Sequence, residues 1–138
     1  MQSKIAIGSG GLWGKGLGHG SQARLNFLPE AHSDFIFAAI AEEWGFVGTS
    51  FLLGLYLVIF WRLFKLSQEA PNNFSRFFII GFSILLIVQV FINVGMNLGL
   101  LPITGISLPL VSYGGSNLIL MALCLGIIQG IKLHSARL

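Results

Sequence analysis

Three long apolar stretches limit what this chain can fold into more than any other feature. They span about residues 44–64, 74–98 and 110–131. Each is long enough to cross the roughly 30 Å hydrocarbon core of a bilayer as a helix, which takes about 20 residues. A chain that is 54% hydrophobic and 9% charged also lies outside the range of soluble globular proteins. The sequence therefore predicts an all-α integral membrane protein, a polytopic bundle of three transmembrane helices.

The segment before these stretches has a different composition. Residues 1–33 are mostly polar and rich in glycine. Irregular backbone of this kind cannot face lipid, because its N–H and C=O groups would lack hydrogen-bond partners. We therefore expect residues 1–43 to form a large extracytoplasmic loop and the start of the first helix, within one membrane domain that covers residues 1–138. The first residues do not resemble a secretory signal peptide.

Lysines and arginines in the short connections predict the orientation of the helices. They occur after the first span and in the C-terminal tail: Arg62, Lys65, Arg76, Lys132 and Arg137. Cytoplasmic connections are enriched in these residues, so we expect both regions to face the cytoplasm. The N-terminal loop then lies on the opposite side, although it also carries basic residues. Because the net charge of +3 fits this topology, we expect no nucleic-acid binding.

The glycine-rich stretch "IGSGGLWGKGLGHG" invites comparison with phosphate-binding loops. It does not match the Walker A pattern, because Ser9 stands where the first glycine is required and Gly16 where a serine or threonine is required. The spacing therefore argues against a nucleotide site. Its backbone N–H groups, with Lys4 and Lys15 close by, could still hold an anion such as a pyrophosphate. A purely structural surface loop explains the same composition.

Acidic residues are concentrated before and at the start of the first apolar stretch. If a helix begins near Pro29, Glu30 and Asp34 lie four apart on one face, where two carboxylates can tune each other for general-base chemistry. An acidic helix start favoured by the helix dipole is the alternative. Apolar residues follow Asp34 directly, which places it at the boundary between water and membrane. Glu42 and Glu43 lie further into this zone, and we expect one of them to be paired or to line a cavity.

Histidine and cysteine do not indicate a metal site, because no two of them share ligand spacing. A divalent cation is possible but not indicated, and no cofactor is evident. His32 lies two residues from Asp34, so on a helix it points to nearly the opposite side and a His–Asp dyad is not expected.

Amide side chains recur every four residues in the second span, at Gln89, Asn93 and Asn97. They fall on one helix face, and we expect that face to point inward because an amide facing lipid has no partner. Hydrogen bonding between helices and the lining of a substrate path are both open. Gly95 and Gly99 form a GxxxG pair, which predicts close helix approach.

The link "LPITGISLPLVSYGGSNL" between the last two spans carries no charge. Its prolines and the paired Gly114 and Gly115 predict a re-entrant or broken-helix element, which is tolerated at membrane depth only beside protein or water. Ser112, Tyr113 and Ser116 add hydrogen-bonding groups. We expect a shaped polar cavity here, with a simple turn as the alternative.

Four motifs carry a family resemblance, in this order: "QSKIAIGSGGLWGKG", "LNFLPEAHSDFIFAAIAEEWGFVG", "NVGMNLGLLPITG" and "LPLVSYGGSNL". They resemble the C-terminal part of the shape, elongation, division and sporulation (SEDS) family, which includes RodA and FtsW. The resemblance covers nearly the whole chain and implies a multi-pass protein of the bacterial cytoplasmic membrane, with about ten helices in a full-length member. Thr104 stands where FtsW-type members commonly have a lysine, which favours the RodA-type elongation branch; Ser107 stands where a proline is common.

The resemblance also implies an activity, peptidoglycan glycosyltransfer. Such enzymes polymerise lipid II and release undecaprenyl pyrophosphate, on the extracytoplasmic face. The family's essential aspartate matches Asp34, which would be the general base. The substrate-binding candidates that we carry over are Lys4, Lys15, Arg24, Glu30, His32, Ser112, Gly114, Gly115 and Ser116. The implied partners are lipid II, undecaprenyl-linked glycan, membrane lipid and a class B penicillin-binding protein.

Other functions fit the same residues. A flippase or transporter of lipid-linked precursors would also use amides and broken elements within a bundle, but it would place its polar groups along a path through the bilayer. A noncatalytic scaffold that docks a penicillin-binding protein would tolerate Asp34→Asn. An FtsW-type division protein is the alternative within the family.

Overall fold

The computed structural model describes residues 2–16, 34–112 and 114–135, and this part of the chain is helical without any strand. The helices are α1 (Gln2–Gly10), α2 (Ile36–Gln68), α3 (Asn73–Asn97) and α4 (Gly115–Ser135). The last three are long and apolar enough to cross a membrane. The predicted all-α fold class with three candidate spans is therefore confirmed.

The helix bounds differ from the sequence expectation at both ends of the chain. Residues 2–10 form a helix, although the sequence predicts an irregular loop there. A glycine-rich nonamer has little helix propensity of its own, and α1 forms because it packs along α2. The first span starts earlier and ends later than residues 44–64, and the third starts later than residue 110 because the link occupies residues 98–114.

The exposed surface of the bundle is apolar. Large side chains such as Leu57, Trp61 and Phe91 are 67%, 69% and 69% exposed, and a water-soluble protein would not leave so continuous an apolar surface uncovered. A core joins all three long helices through the following side chains: Leu63, Ile79, Phe82, Leu86, Met121 and Ile128. These features suit helices that pack on one another inside a bilayer.

A break in α2 at Gly45 is where the N-terminal segment docks. Gly45 has φ 66° and ψ −161°, so the helix is interrupted there. The break frees carbonyls on one side, and those of Glu42 and Glu43 accept the N–H groups of Lys15 and Gly16 at 3.0 and 3.1 Å. On the other side, the freed N–H groups of residues 46 and 47 donate to the carbonyls of residues 11 and 12. Residues 11–16 thus replace the hydrogen bonds that the helix loses, as buried backbone requires.

The C-terminus of α3 is closed by a glycine cap. Gly99 has φ 70°, and its N–H donates to the carbonyl of Met96 at 3.0 Å while that of Leu100 donates to Gly95 at 2.9 Å. This pattern is a Schellman motif. Leu101 folds back onto the face of Gly95, where a Cβ would lie 2.7 Å from its Cδ1. Gly95 and Gly99 therefore serve a helix end, and the expectation of a helix-packing GxxxG pair at these positions is wrong.

The link between α3 and α4 is held down at several points. The Tyr56 hydroxyl of α2 donates to the carbonyl of Pro109. Asn117 Nδ2 of α4 donates to Ser107 Oγ at 3.2 Å, so a serine in this position gives a contact that a proline could not make. Leu108 is 1% exposed. The link is thus an irregular segment that packs on the bundle, consistent with the expectation of unusual backbone held against protein.

Candidate functional site

Asp34 lies in the turn directly before α2 and is partly buried. Because α2 begins at Ile36, Asp34 precedes that helix. Glu30 lies outside the described residues, so the expected face that it shares with Asp34 stays a prediction.

Two buried amides of α3 hold the backbone at Asp34. Asn93 Nδ2 and Asn97 Nδ2 donate to the Asp34 carbonyl at 3.1 and 3.2 Å. Both asparagines are 0% exposed. The inward direction predicted for this stripe is therefore correct at Asn93 and Asn97. Their amides donate to backbone carbonyls of the turn and the link, and not to another transmembrane helix.

The link covers one side of the Asp34 carboxylate. A Cβ placed on Gly105 would lie 3.5 Å from Asp34 Oδ2, so the link backbone and the carboxylate are close neighbours. Asn93 Nδ2 also donates to the carbonyl of Ile106 at 2.8 Å. The turn at Asp34 and the link at residues 105–106 are thus held together around one carboxylate.

A cavity of about 800 Å³ opens beside this turn. Ile36, two residues after Asp34, forms one wall together with residues of the link and of α4. Three predicted substrate-binding residues line it: Ser112, Gly114 and Gly115. Ser116 is exposed in the first turn of α4 and is not among the lining residues. A cavity lies here as expected, but its walls are mainly apolar, so the prediction that it is polar is wrong.

Lys15 is engaged within the protein. Its Nζ lies 3.2 Å from Glu42 Oε1, and the Glu42 side chain is 0% exposed. One of the two interfacial glutamates is thus paired, as predicted. The N–H groups of Gly14, Lys15 and Gly16 donate to backbone carbonyls, so at these residues the predicted anion-binding loop is instead a docking segment.

Removing Lys15 from this pair tests that interpretation. We expect Lys15→Met to destabilise the docked segment by about 2 kcal/mol, because it leaves a buried carboxylate without its cation. Glu42→Gln in addition should recover most of this loss, since it removes the buried charge itself. Chymotrypsin digestion of the chain in micelles measures the loss as faster cleavage after Leu12 or Trp13, which both variants keep. Equal cleavage of Lys15→Met and wild type would contradict it.

The remaining candidates are only partly described. Lys4 lies in α1, but its side chain falls outside the description, and Arg24 and His32 fall within the undescribed residues 17–33. Among residues 2–16, 34–112 and 114–135, no three His, Cys, Asp or Glu side chains are grouped to hold a metal ion.

Sequence reasoning missed the residues that fix Asp34 in place. The spacing of Asn93 and Asn97 showed that they share a face, but nothing in the sequence showed which backbone would lie opposite. Nothing local marked Gly105 of the link as a neighbour of Asp34. The one available signal was the combination of buried amides with an irregular link, whose backbone carbonyls need donors.

The comparison with protein families decides the identity of the chain. The FtsW, RodA and SpoVE family of cell cycle proteins matches residues 1–137. The chain belongs to this family. The predicted family resemblance is thereby confirmed, and the four sequence motifs all lie within the matched range.

Individual members of the FtsW/RodA/SpoVE family show how much of a whole protein is present. The peptidoglycan glycosyltransferase MrdB of Escherichia coli K12 is 52% identical over 134 residues, which are 97% of this chain and 36% of MrdB. The chain therefore spans about a third of the length of this relative.

Solved structures agree with the fold. A chain from a peptidoglycan synthase complex that coordinates polymerization and crosslinking matches with a TM-score of 0.74 and 40% identity, covering 91% of this chain and 34% of that one. The crystal structure of RodA from Thermus thermophilus matches with a TM-score of 0.66 and 43% identity, covering 77% and 38%. The RodA match agrees with the expected branch of the FtsW/RodA/SpoVE family.

Proposed function

We propose that this chain forms the catalytic end of a peptidoglycan glycosyltransferase that polymerises lipid II during cell elongation. The observation that carries the proposal is the position of Asp34, which lies next to Gly105 of the link and two residues before Ile36, a lining residue of an apolar cavity at one end of the bundle. Arg62, Lys65 and Lys132 line a separate cavity at the other end of α2. Because such cations favour the cytoplasm, the Asp34 end would face the extracytoplasmic side of the bacterial cytoplasmic membrane.

The chemistry follows from a carboxylate in that position. Asp34 would take the proton from the 4-hydroxyl of the acceptor GlcNAc, and that oxygen would attack the anomeric carbon of the donor MurNAc. The bond between this carbon and the pyrophosphate breaks, with inversion, and undecaprenyl pyrophosphate leaves. The apolar cavity suits a polyprenyl chain, and Ser112 offers a hydroxyl to the sugar or phosphate portion.

The donor pyrophosphate requires cations near the same end. Lys4 and Arg24 remain our proposed contacts, with Glu30, His32, Gly114, Gly115 and Ser116 as further substrate-binding candidates. Lys15 already pairs with Glu42, so a role in substrate binding would require it to exchange partners. A transpeptidase of the class B penicillin-binding proteins is the proposed protein partner, since a structural neighbour belongs to a complex that joins polymerization to crosslinking.

A chimera tests the proposal. The matching C-terminal third of E. coli MrdB is replaced by residues 1–138, and the purified protein is given fluorescent lipid II with a partner penicillin-binding protein. We expect glycan strands on a gel at a rate within about tenfold of MrdB, because buried contacts between similar sequences tolerate moderate change. A folded, membrane-inserted chimera that transports lipid II across vesicles but makes no glycan would support the flippase alternative and refute ours.

A further inference from the structure

We infer that Asn93 and Asn97 are positioning residues that hold Asp34 against the link; this rests on the proposed role of Asp34 as the base. Neither asparagine is a candidate for touching substrate, since both are fully buried. They act through a backbone oxygen: two side-chain amides donate to the one carbonyl of Asp34. A carbonyl held from two sides restricts the turn that carries the carboxylate.

The two amides are themselves held in place. Asn97 Nδ2 donates to the Asn93 carbonyl at 2.8 Å and to Asn93 Oδ1 at 3.2 Å. Asn93 Oδ1 accepts a hydrogen bond from Asn97. The other end of the Asn93 amide, Nδ2, is therefore directed at the carbonyls of Asp34 and Ile106. Both residues stand on a long helix whose inner face is buried next to them at Val90, Gly95 and Met96, and sites supported by rigid helices hold their geometry better than sites on loops.

Asn93 also holds the link at Ile106 beside the turn at Asp34. Its Nδ2 joins the carbonyl of Asp34, 59 residues away in sequence, to that of Ile106, 13 residues away. Gly105, next to Ile106, is the residue beside the Asp34 carboxylate. Loss of the Asn93 amide would therefore separate the turn at Asp34 from the link. The Asp34 carboxylate would then be free to move away from Gly105.

Gln89 provides a matched comparison within the same stripe. It lies one turn before Asn93, and its Oε1 is buried without a hydrogen-bond partner among the described residues. Among the described residues, the side-chain hydrogen bonds to the Asp34 and Ile106 carbonyls come from Asn93 and Asn97 and not from Gln89. A general role of the amide stripe in helix packing would make Gln89 and Asn93 equally important, whereas a positioning role makes only Asn93 and Asn97 important for turnover.

The first measurement is turnover in the MrdB chimera. We expect Asn93→Ala to lower kcat about 100-fold, because a misplacement of about 1 Å can cost that much, with an unchanged KM for lipid II. Asn93→Asp should be no better, since it keeps the shape but turns an oxygen toward two carbonyls. Gln89→Ala should retain wild-type turnover. Wild-type kcat in Asn93→Ala, or a fall in activity no larger than the loss of folded protein, would overturn the inference.

The second measurement does not depend on activity. In the chimera with its other cysteines replaced, including Cys124→Ala, Asp34→Cys is labelled with a membrane-impermeant maleimide. Adding Asn93→Ala should raise the labelling rate about tenfold, because the turn opens locally more often. Adding Gln89→Ala should leave the labelling rate unchanged. An unchanged rate refutes positioning even if Asp34 is the base. Wild-type polymerisation by Asp34→Asn refutes the proposed base even if the rate changes.

Discussion

Asp34→Asn in the MrdB chimera should abolish most polymerisation of lipid II while leaving the protein folded. The amide has nearly the same shape as the carboxylate but cannot take a proton, and general-base catalysis contributes about 100- to 10,000-fold to a rate. The hydrogen bonds from Asn93 and Asn97 go to the backbone carbonyl, so this substitution leaves them in place. We therefore expect kcat to fall by at least about 100-fold, with little change in thermal stability.

A matched variant separates catalysis from a general effect of lost charge. Glu69→Gln makes the same chemical change just after α2 ends, at the opposite end of that helix from Asp34. It should polymerise lipid II like the parent chimera. Initial rates from fluorescent lipid II, with folded fractions from size-exclusion chromatography, give the comparison. Equal rates for Asp34→Asn and the parent would show that Asp34 is not the base, and would favour the scaffold alternative.

Gly45→Ala should undock the N-terminal segment. Gly45, with φ 66° and ψ −161°, lies in a backbone region that essentially only glycine adopts, so a residue with a Cβ costs about 1–3 kcal/mol there. This Cβ would also lie 2.3 Å from the Gly14 backbone nitrogen. The backbone cost and the steric conflict together should weaken docking of the N-terminal segment by about 3 kcal/mol. The effect falls on the contact between α1 and α2, because the hydrogen bonds of residues 11–16 depend on this break.

The same helix offers a control for that substitution. At Gly54 a Cβ would meet nothing within 4 Å, so Gly54→Ala should be neutral or slightly stabilising, since alanine favours a helix by about 1 kcal/mol. Limited trypsin digestion at Lys15 reports docking directly. We expect rapid cleavage in Gly45→Ala and parental protection in Gly54→Ala. Similar protection of both variants would mean that the break at Gly45 is not needed for docking.

Much of the architecture was predictable from local composition. Membrane-spanning helices need about 20 apolar residues in a row, and this requirement is visible in a sequence without knowledge of any contact. The existence of three spans followed from it. Their ends were less predictable, because the length of an apolar stretch does not mark a helix cap or a helix break. The first span, for example, was expected from about residue 44, whereas α2 begins at Ile36.

The candidate site was predictable only in its parts. Motif resemblance selected Asp34, and spacing put Asn93 and Asn97 on one face. The hydrogen bonds from Asn93 and Asn97 to Asp34 join residues that are 59 and 63 positions apart in the chain. No local sequence pattern predicts contacts over such distances. Lys15 shows the converse, because its place in a glycine-rich, basic stretch suggested an anion site, whereas its partner is the buried Glu42.

Hydropathy and motif order, which depend on residues close together in the chain, were enough to predict a helical membrane protein of the FtsW/RodA/SpoVE family. The packing of the helices was needed to see that the glycine-rich segment fills a helix break at Gly45 and that two buried amides hold the turn at Asp34. Every buried N–H and C=O needs a hydrogen-bond partner, and the distant group that supplies it depends on how the helices pack.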